Sequence, residues 1–183
     1  MPHRTVAVAL ALVSTSAACP GREPRETRQI ADSAFVGTTA PLLRPRQGRA
    51  GVPATLLRSV TGVAARGYDR VVFELAGDTP PGYRLQYAAG PVRSCGSGDV
   101  VSVAGRERLV LHLEPARAHD DQGNPLPRER QLMFGLPSVR EAKLVCDFEG
   151  QVEWVLGVTR RAPYRVTELT GPARLLLDVK QGP

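Results

Sequence analysis

Short apolar runs that end at Gly, Pro or Asp dominate the sequence from residue 54 onward. The 18 Gly and 16 Pro of this 183-residue chain interrupt helical periodicity and favour turns. Short runs rich in alternating or β-branched residues predict strands, here over 55–63, 70–76, 83–88, 99–104, 109–114, 131–135, 142–148, 152–158, 164–169 and 174–180. About eight to ten strands predict an all-β fold, a single β-sandwich or barrel-like domain over residues 54–183.

The N-terminal residues have the pattern of a secretory signal peptide. Arg4 precedes an apolar segment over residues 6–13, and small residues follow over 14–18. Because the apolar segment is too short to cross a membrane, we expect residues 1–18 to be cleaved during export. Ser16-Ala17-Ala18 before Cys19 resembles the lipobox of bacterial lipoproteins, although that family usually has Leu where this chain has Ser16.

The lipobox resemblance implies that Cys19 is lipidated and anchors the protein to the extracytoplasmic face of the bacterial cell membrane. Ordinary cleavage after Ala18 is the alternative. The chain has three cysteines, and an odd count in an exported protein requires an explanation. If Cys19 carries lipid, Cys95 and Cys146 remain as a pair in an oxidising compartment, which predicts a disulfide. The alternative is two unpaired, buried thiols.

Residues 19–53 are rich in Pro, Arg and Gly and show little apolar periodicity. This composition predicts a flexible, basic tether between the lipid anchor and the domain. Of the net charge of +6 of the whole chain, the tether carries +3 and Arg4 carries +1, so residues 54–183 are nearly balanced at +2. A domain without a concentrated basic face is not expected to bind nucleic acid.

The sequence contains none of the motifs that mark common enzyme classes. A G-x-S-x-G elbow, a glycine-rich phosphate loop and His/Cys pairs at zinc spacing are all absent. His112 alternates with apolar neighbours and is expected on the solvent face of a strand. We therefore expect no enzyme activity, no cofactor and no metal site, with an uncharacterised hydrolase as the less favoured alternative.

Several polar and aromatic residues are candidates for binding. The oxygen-rich segment 119–125 begins with His119 and Asp120 and suggests either a calcium loop or, more simply, an Asx-turn. Tyrosines that stand exposed on a strand can stack on sugar rings, which makes candidates of Tyr68, Tyr83, Tyr87 and Tyr164. Trp154 could stack in the same way, but its alternation with apolar residues favours a place in the core.

A hairpin is predicted around Gly150. A two-residue loop, Glu149-Gly150, would pair Cys146 with Glu153 and separate the apolar residues onto opposite faces. A three-residue loop that begins at Phe148 would instead pair Cys146 with Val152 and Leu144 with Trp154, with Gly150 in the left-handed conformation. We therefore predict the three-residue loop.

Two segments share one residue pattern: residues 70–75 and 174–179 both read basic, three apolar, acidic, apolar. If these strands lie antiparallel with the same faces aligned, Arg70 stands opposite Asp178 and Glu74 stands opposite Arg174. Cross-strand charge pairs of this kind stabilise a sheet by a few tenths to about 1 kcal/mol each and help to fix its register.

Residues 70–75, Tyr83-Arg84-Leu85 and the closing 172–179 resemble the AMIN pattern. AMIN domains are all-β modules of cell-wall amidases and secretins. Together with 67–70, 118–120 and 147–150, and with a longer insertion over about 90–161, residues 54–181 are similar to the AMIN-like domains of bacterial lipoproteins.

The resemblance implies a non-enzymatic lipoprotein that binds cell-envelope components, with peptidoglycan as the favoured ligand. The alternative is an envelope protein partner that adds a strand to a sheet edge. The expected partners are thus cell-wall glycan or an envelope protein, with membrane contact through the lipid anchor only. The binding candidates are Tyr68, Arg70, Glu74, Tyr83, His119, Asp120, Tyr164, Arg174 and Asp178.

Overall fold

The computed structural model describes residues 35–46 and 53–182, which form strands, turns and loops without a helix. This confirms the all-β prediction. The strands are β1 (Leu42–Arg44), β2 (Thr55–Ala65), β3 (Tyr68–Leu75), β4 (Gly82–Tyr87), β5 (Glu107–Glu114), β6 (Ala116–Arg117), β7 (Gln131–Met133), β8 (Val139–Phe148), β9 (Gln151–Val158), β10 (Tyr164–Leu169) and β11 (Arg174–Lys180). In this part of the chain no helix is long and apolar enough to cross a membrane.

The strands form two sheets. One has six strands in the order β1-β4-β5-β9-β8-β7, and the other has five in the order β10-β11-β3-β2-β6. Alternate residues of each strand face the other sheet and form one apolar core. Trp154 is fully buried there and meets Phe73 edge to face, with ring centroids 6.1 Å apart, which confirms the core position expected for Trp154.

A buried carboxylate joins the two sheets. Asp69 of β3 is fully buried and accepts backbone N–H bonds from Ser138 and Val139, at 2.5 and 2.8 Å, where β8 begins. The side-chain amide of Gln181 donates a third bond to Asp69 at 2.8 Å. These donors compensate the carboxylate for lost hydration and fix the start of β8 against β3.

Residues 88–106, which we call the outer loop, cover part of the outer face of the six-stranded sheet. Val92 and Val103 of this loop pack on Val145 and Val155 in a second, smaller apolar cluster. The strand predicted over 99–104 is therefore wrong: this segment belongs to a loop that folds back on the sheet and buries Val103, while Val100 is exposed. Cys95 and Cys146 form a disulfide that ties this loop to β8, with Cα atoms 5.2 Å apart, as the cysteine count predicted.

The loop of the β8–β9 hairpin has two residues, not the predicted three. Phe148 pairs with Gln151, which leaves Glu149 and Gly150 as the loop. Both have positive φ, at 49° and 79°, as a type I′ turn requires. The prediction is wrong because it assumed that Gly150 alone would adopt the left-handed conformation, whereas Glu149 adopts it as well.

A β-bulge at Val145 explains why the apolar pattern favoured the other register. Next to the turn Cys146 pairs with Glu153, whereas beyond the bulge Leu144 pairs with Trp154. One extra residue on β8 shifts the register by one position. The predicted pairing of Leu144 with Trp154 is therefore confirmed, and the predicted pairing of Cys146 with Val152 is wrong.

Residues 35–46, which composition assigned to the tether, are part of the domain. β1 pairs antiparallel with β4, and Thr38 exchanges two backbone hydrogen bonds with Tyr164, at 2.9 and 2.8 Å. β1 and the two-residue β6 were not among the predicted strands. The predicted signal peptide, Cys19 and the remainder of the tether (residues 19–34 and 47–52) lie outside the described residues.

Replacing Cys95 and Cys146 together by Ala tests the contribution of the disulfide. The bridge closes a loop with a sequence separation of 51 residues, for which the chain-entropy relation gives about 4 kcal/mol. We expect urea denaturation to show the free energy of unfolding falling by about this amount, and chemically reduced wild-type protein to match the variant. A fall below about 1 kcal/mol would contradict a stabilising role for the bridge.

Candidate functional site

The outer face of the five-stranded sheet, the face turned away from the core, brings together most of the charged candidates. β3 and β11 pair antiparallel, with Arg70 opposite Asp178 and Glu74 opposite Arg174, as the shared residue pattern predicted. The pairings of β2 and β10 extend the first pair into a row across four strands, which consists of Val63, Arg70, Asp178 and Arg165. We call these four residues the arginine row.

Asp178 organises the arginine row. Its side chain is fully buried, and Arg70 donates two hydrogen bonds to it, from Nε to Oδ1 at 2.6 Å and from Nη2 to Oδ2 at 2.9 Å. Arg165 donates a third from Nε to Oδ2 at 2.9 Å. Hydrogen bonding to Asp178 raises the pKa of Arg70 above its ordinary value. Two guanidiniums thus share one carboxylate, and the trio carries a net charge of +1.

Two aromatic rings border the arginine row. The rings of Phe35 and Tyr68 lie 5.9 Å apart, both half-buried. The Arg165 guanidinium lies over both, 4.6 Å from the Phe35 centroid and 5.1 Å from the Tyr68 centroid, and the Arg70 guanidinium is 5.3 Å from the Tyr68 centroid. These cation–π contacts and the shared carboxylate hold the four side chains in one arrangement. We call Phe35, Tyr68, Arg70 and Arg165 the aromatic–arginine patch.

The second predicted charge pair has the predicted strand register, but its ion pair does not form. Glu74 and Arg174 stand opposite each other, yet in the part of the chain that the structure describes no ion pair joins them. Glu74 instead accepts a hydrogen bond from the Ser59 hydroxyl at 2.7 Å. Ser59 is the register partner of Glu74 on its other side, and this nearby hydroxyl turns the carboxylate toward β2.

The side chains of the patch can make two kinds of contact. Its two guanidiniums offer planar N–H donors to a carboxylate or to hydroxyls, and its rings offer apolar faces. In residues 35–46 and 53–182 no cluster of three or more His, Cys, Asp or Glu is placed to hold a metal ion.

Three candidate tyrosines have buried side chains and sit away from the patch. Tyr164 donates its hydroxyl to the carbonyls of Ala40 and Leu85, at 2.6 and 3.0 Å, and Tyr83 donates to Glu168 Oε1 at 2.9 Å. Burial raises the pKa of both Tyr83 and Tyr164 to about 12. Tyr87 is likewise buried. Their contacts brace the strands and leave Tyr68 as the tyrosine of the patch.

His119 and Asp120 lie in a separate loop between β6 and β7. The imidazole Nδ1 of His119 is 3.0 Å from both Asp147 oxygens, and Arg130 donates to Asp147 Oδ2 at 3.1 Å. Asp120 accepts backbone N–H bonds from Gln122 and Asn124. Hydrogen bonds from Asn124 hold the pKa of Asp120 below its usual value. This is the Asx-turn geometry expected from the sequence, with the carboxylate engaged by the loop itself.

Phe35 and Arg165 are patch residues that the candidate set did not include. Arg165 could have been found, because the sequence Tyr164-Arg165-Val166 follows the same pattern as Tyr83-Arg84-Leu85 and places an arginine next to a core tyrosine. Phe35 had no comparable signal, since it stands in a segment whose composition indicates a tether.

Replacing Asp178 by Asn tests whether this carboxylate holds the row. The change leaves Arg70 and Arg165 without a counter-charge, and removing one partner of a buried ion pair typically costs 3–5 kcal/mol. The two arginine side chains are 28% and 36% exposed, so water screens part of this loss and we expect the free energy of unfolding to fall by about 2 kcal/mol.

Glu74→Gln on the same face is the matched control for that substitution. Glu74 is exposed and forms no ion pair with its register partner Arg174, so its replacement should change stability by less than about 0.5 kcal/mol. Chemical denaturation of the two variants side by side provides the measurement. Equal effects of the two substitutions would contradict the organising role of Asp178.

One family model matches most of the residues that form the two sheets. The AMIN-like domain family matches residues 55–181, which span β2 to β11 and thus nearly the whole two-sheet domain. Among curated proteins no significant match to the chain was found. The segments 70–75, 83–85 and 172–179, whose pattern resembles the AMIN family, all lie within the matched residues. The chain therefore belongs to the AMIN-like domain family.

Proposed function

We propose that this protein is a non-enzymatic, exported envelope lipoprotein that binds cell-wall glycan through the aromatic–arginine patch. Family membership supports the broad class, because AMIN-like domains are binding modules of extracytoplasmic envelope proteins. The signal peptide pattern over residues 1–18 supports export. In this proposal Cys19 supplies the lipid anchor, and the tether that follows it gives the domain reach from the membrane.

The observation that carries the proposal is the fixed arrangement of two rings and two guanidiniums on an open sheet face. Peptidoglycan presents apolar sugar faces together with carboxylates on its peptide stems and on lactyl groups that carry no peptide. Tyr68 and Phe35 match the sugar faces, and Arg70 and Arg165 match carboxylates. Because Asp178 already orders both arginines, little side-chain entropy is lost when a ligand binds.

Binding to purified sacculi tests the proposal. The full chain with Cys19 replaced by Ser is mixed with sacculi and centrifuged, and the bound fraction is measured against protein concentration. We expect Arg165→Gln to lower the affinity about tenfold, since it removes one charge-assisted hydrogen-bond donor. Tyr68→Leu, which keeps apolar volume but removes the ring face, should lower it by a similar factor.

Arg140→Gln is the matched control, because Arg140 is an exposed arginine of β8 in the other sheet. It should leave sacculus binding unchanged. If the control weakens binding as much as Arg165→Gln, the interaction is a general charge effect and the patch is not the site. If wild-type protein does not sediment with sacculi, the glycan proposal fails.

Cys19→Ser also tests the anchor. In cells, the wild-type chain should fractionate with membranes and incorporate labelled fatty acid, whereas Cys19→Ser should do neither. Cys95→Ser is the control. Because Cys95 forms the disulfide, this substitution should leave lipid incorporation intact. A wild-type protein found free of lipid would instead indicate ordinary cleavage after Ala18.

One observation favours a second candidate, an envelope protein that adds a strand at β10. Among the described residues β10 pairs with β11 and, at Tyr164, with Thr38. Because backbone groups alternate in direction along a strand, those of Val166 and Glu168 point to the outer edge, where no backbone partner is described. Val166→Pro would block a partner that pairs there and should leave glycan binding through the patch intact.

A further inference from the structure

The outer face of the six-stranded sheet contains a groove of about 250 Å³ beside the outer loop. Its floor is a row of register partners on β4, β5 and β9, which are Arg84, His112 and Glu153. The next pairing along this row is Glu153 with Cys146 of β8. The disulfide from Cys146 to Cys95 therefore lies one strand beyond Glu153, and residues 88–93 of the outer loop form the wall of the groove.

The position of this groove is fixed by its surroundings. The floor belongs to three consecutive hydrogen-bonded strands. The wall is held by the disulfide and by Val92, which is buried in the smaller apolar cluster. Arg93 of the wall donates from Nη1 to the Gly98 carbonyl at 2.8 Å, which orients this side chain. A groove with a rigid floor and wall needs little reorganisation to accept a ligand.

The charges of the groove are separated along the floor. His112 lies between two carboxylates, with Nε2 3.3 Å from Glu114 and Nδ1 3.7 Å from Glu153. Arg84, on the other side of His112, forms no ion pair within the described residues and is exposed. Along the floor, Arg84 at one end therefore offers a guanidinium and Glu153 at the other end offers a carboxylate, while a second guanidinium, that of Arg93, belongs to the wall.

We propose that this groove binds a small zwitterionic ligand of amino-acid or dipeptide chemistry, with the ligand carboxylate on Arg84 and its ammonium on Glu153. Pockets for drug-sized molecules begin at about 300 Å³, so a groove of about 250 Å³ suits a smaller ligand of this kind. Arg84 and Glu153 are two strand spacings, or about 10 Å, apart at their backbones. An extended dipeptide spans about 7 Å, so its two ends reach both side chains.

The groove lies on the sheet opposite to the aromatic–arginine patch, and the inference does not depend on glycan binding. An NMR titration of the full chain carrying Cys19→Ser with alanyl-alanine tests it. We expect saturable shifts of the backbone amides of residues 84, 112 and 153. The C-terminal amide of the dipeptide lacks the carboxylate, and its N-acetyl form lacks the ammonium, so each should bind about tenfold more weakly.

Two variants match the two ligand changes. Arg84→Gln should lower the affinity for alanyl-alanine about tenfold but should hardly change the affinity for the C-terminal amide, which has no carboxylate to lose. Glu153→Gln should likewise lower the affinity for alanyl-alanine about tenfold but should hardly change the affinity for the N-acetyl form. Arg140→Gln is the control and should bind as the wild type does. Both floor side chains lie on the outer face, and an otherwise unchanged amide spectrum establishes that each variant folds.

Three outcomes would overturn the proposal. One is the absence of saturable shifts up to about 10 mM dipeptide, which would mean that the dissociation constant lies above about 10 mM. Another is shifts confined to residues outside the groove. The third is equal binding of alanyl-alanine and its C-terminal amide, which would show that Arg84 does not recognise a carboxylate.

Discussion

The ion pairs of the buried Asp178 carboxylate with Arg70 and Arg165 are the interaction on which the aromatic–arginine patch depends. A fully buried charge is costly unless it is paired and hydrogen-bonded, and Asp178 meets this condition with three donors from Arg70 and Arg165. In doing so it joins β3, β11 and β10 through side chains as well as through backbone bonds. The same two guanidiniums rest on the rings of Tyr68 and Phe35. One buried acid thus sets the positions of all four residues of the patch.

The two sheets share a core but have different outer faces. The six-stranded sheet is partly covered by the outer loop, which the disulfide and a valine cluster hold in place. The five-stranded sheet presents its charged and aromatic side chains directly to solvent. Asp69 joins the sheets by holding the start of β8 against β3. The interior is filled by apolar side chains, and the aromatic–arginine patch and the groove each lie on one of the two outer faces.

Residue patterns predicted the parts of this fold that depend on alternation along a strand. The matching segments 70–75 and 174–179 specified the register of β3 against β11, because alternation and opposite charges agree there. Alternation did not reveal the bulge at Val145, which lets two registers coexist in one hairpin. Alternation also misassigned 99–104, which is a loop segment that buries Val103 against the sheet. Phe35 and β1 were missed because short pairings with the domain leave little trace in composition.

The central claim is that the aromatic–arginine patch is a preformed glycan-binding face. The most direct measurement is a structure of the domain with a soluble peptidoglycan fragment that carries both sugar and peptide. The account predicts a sugar ring against Tyr68 or Phe35 and a ligand carboxylate on Arg70 or Arg165, with Asp178 and both arginines placed as they are without ligand. A fragment bound elsewhere with the patch empty, or a patch whose arginines must leave Asp178 to bind it, would contradict the account.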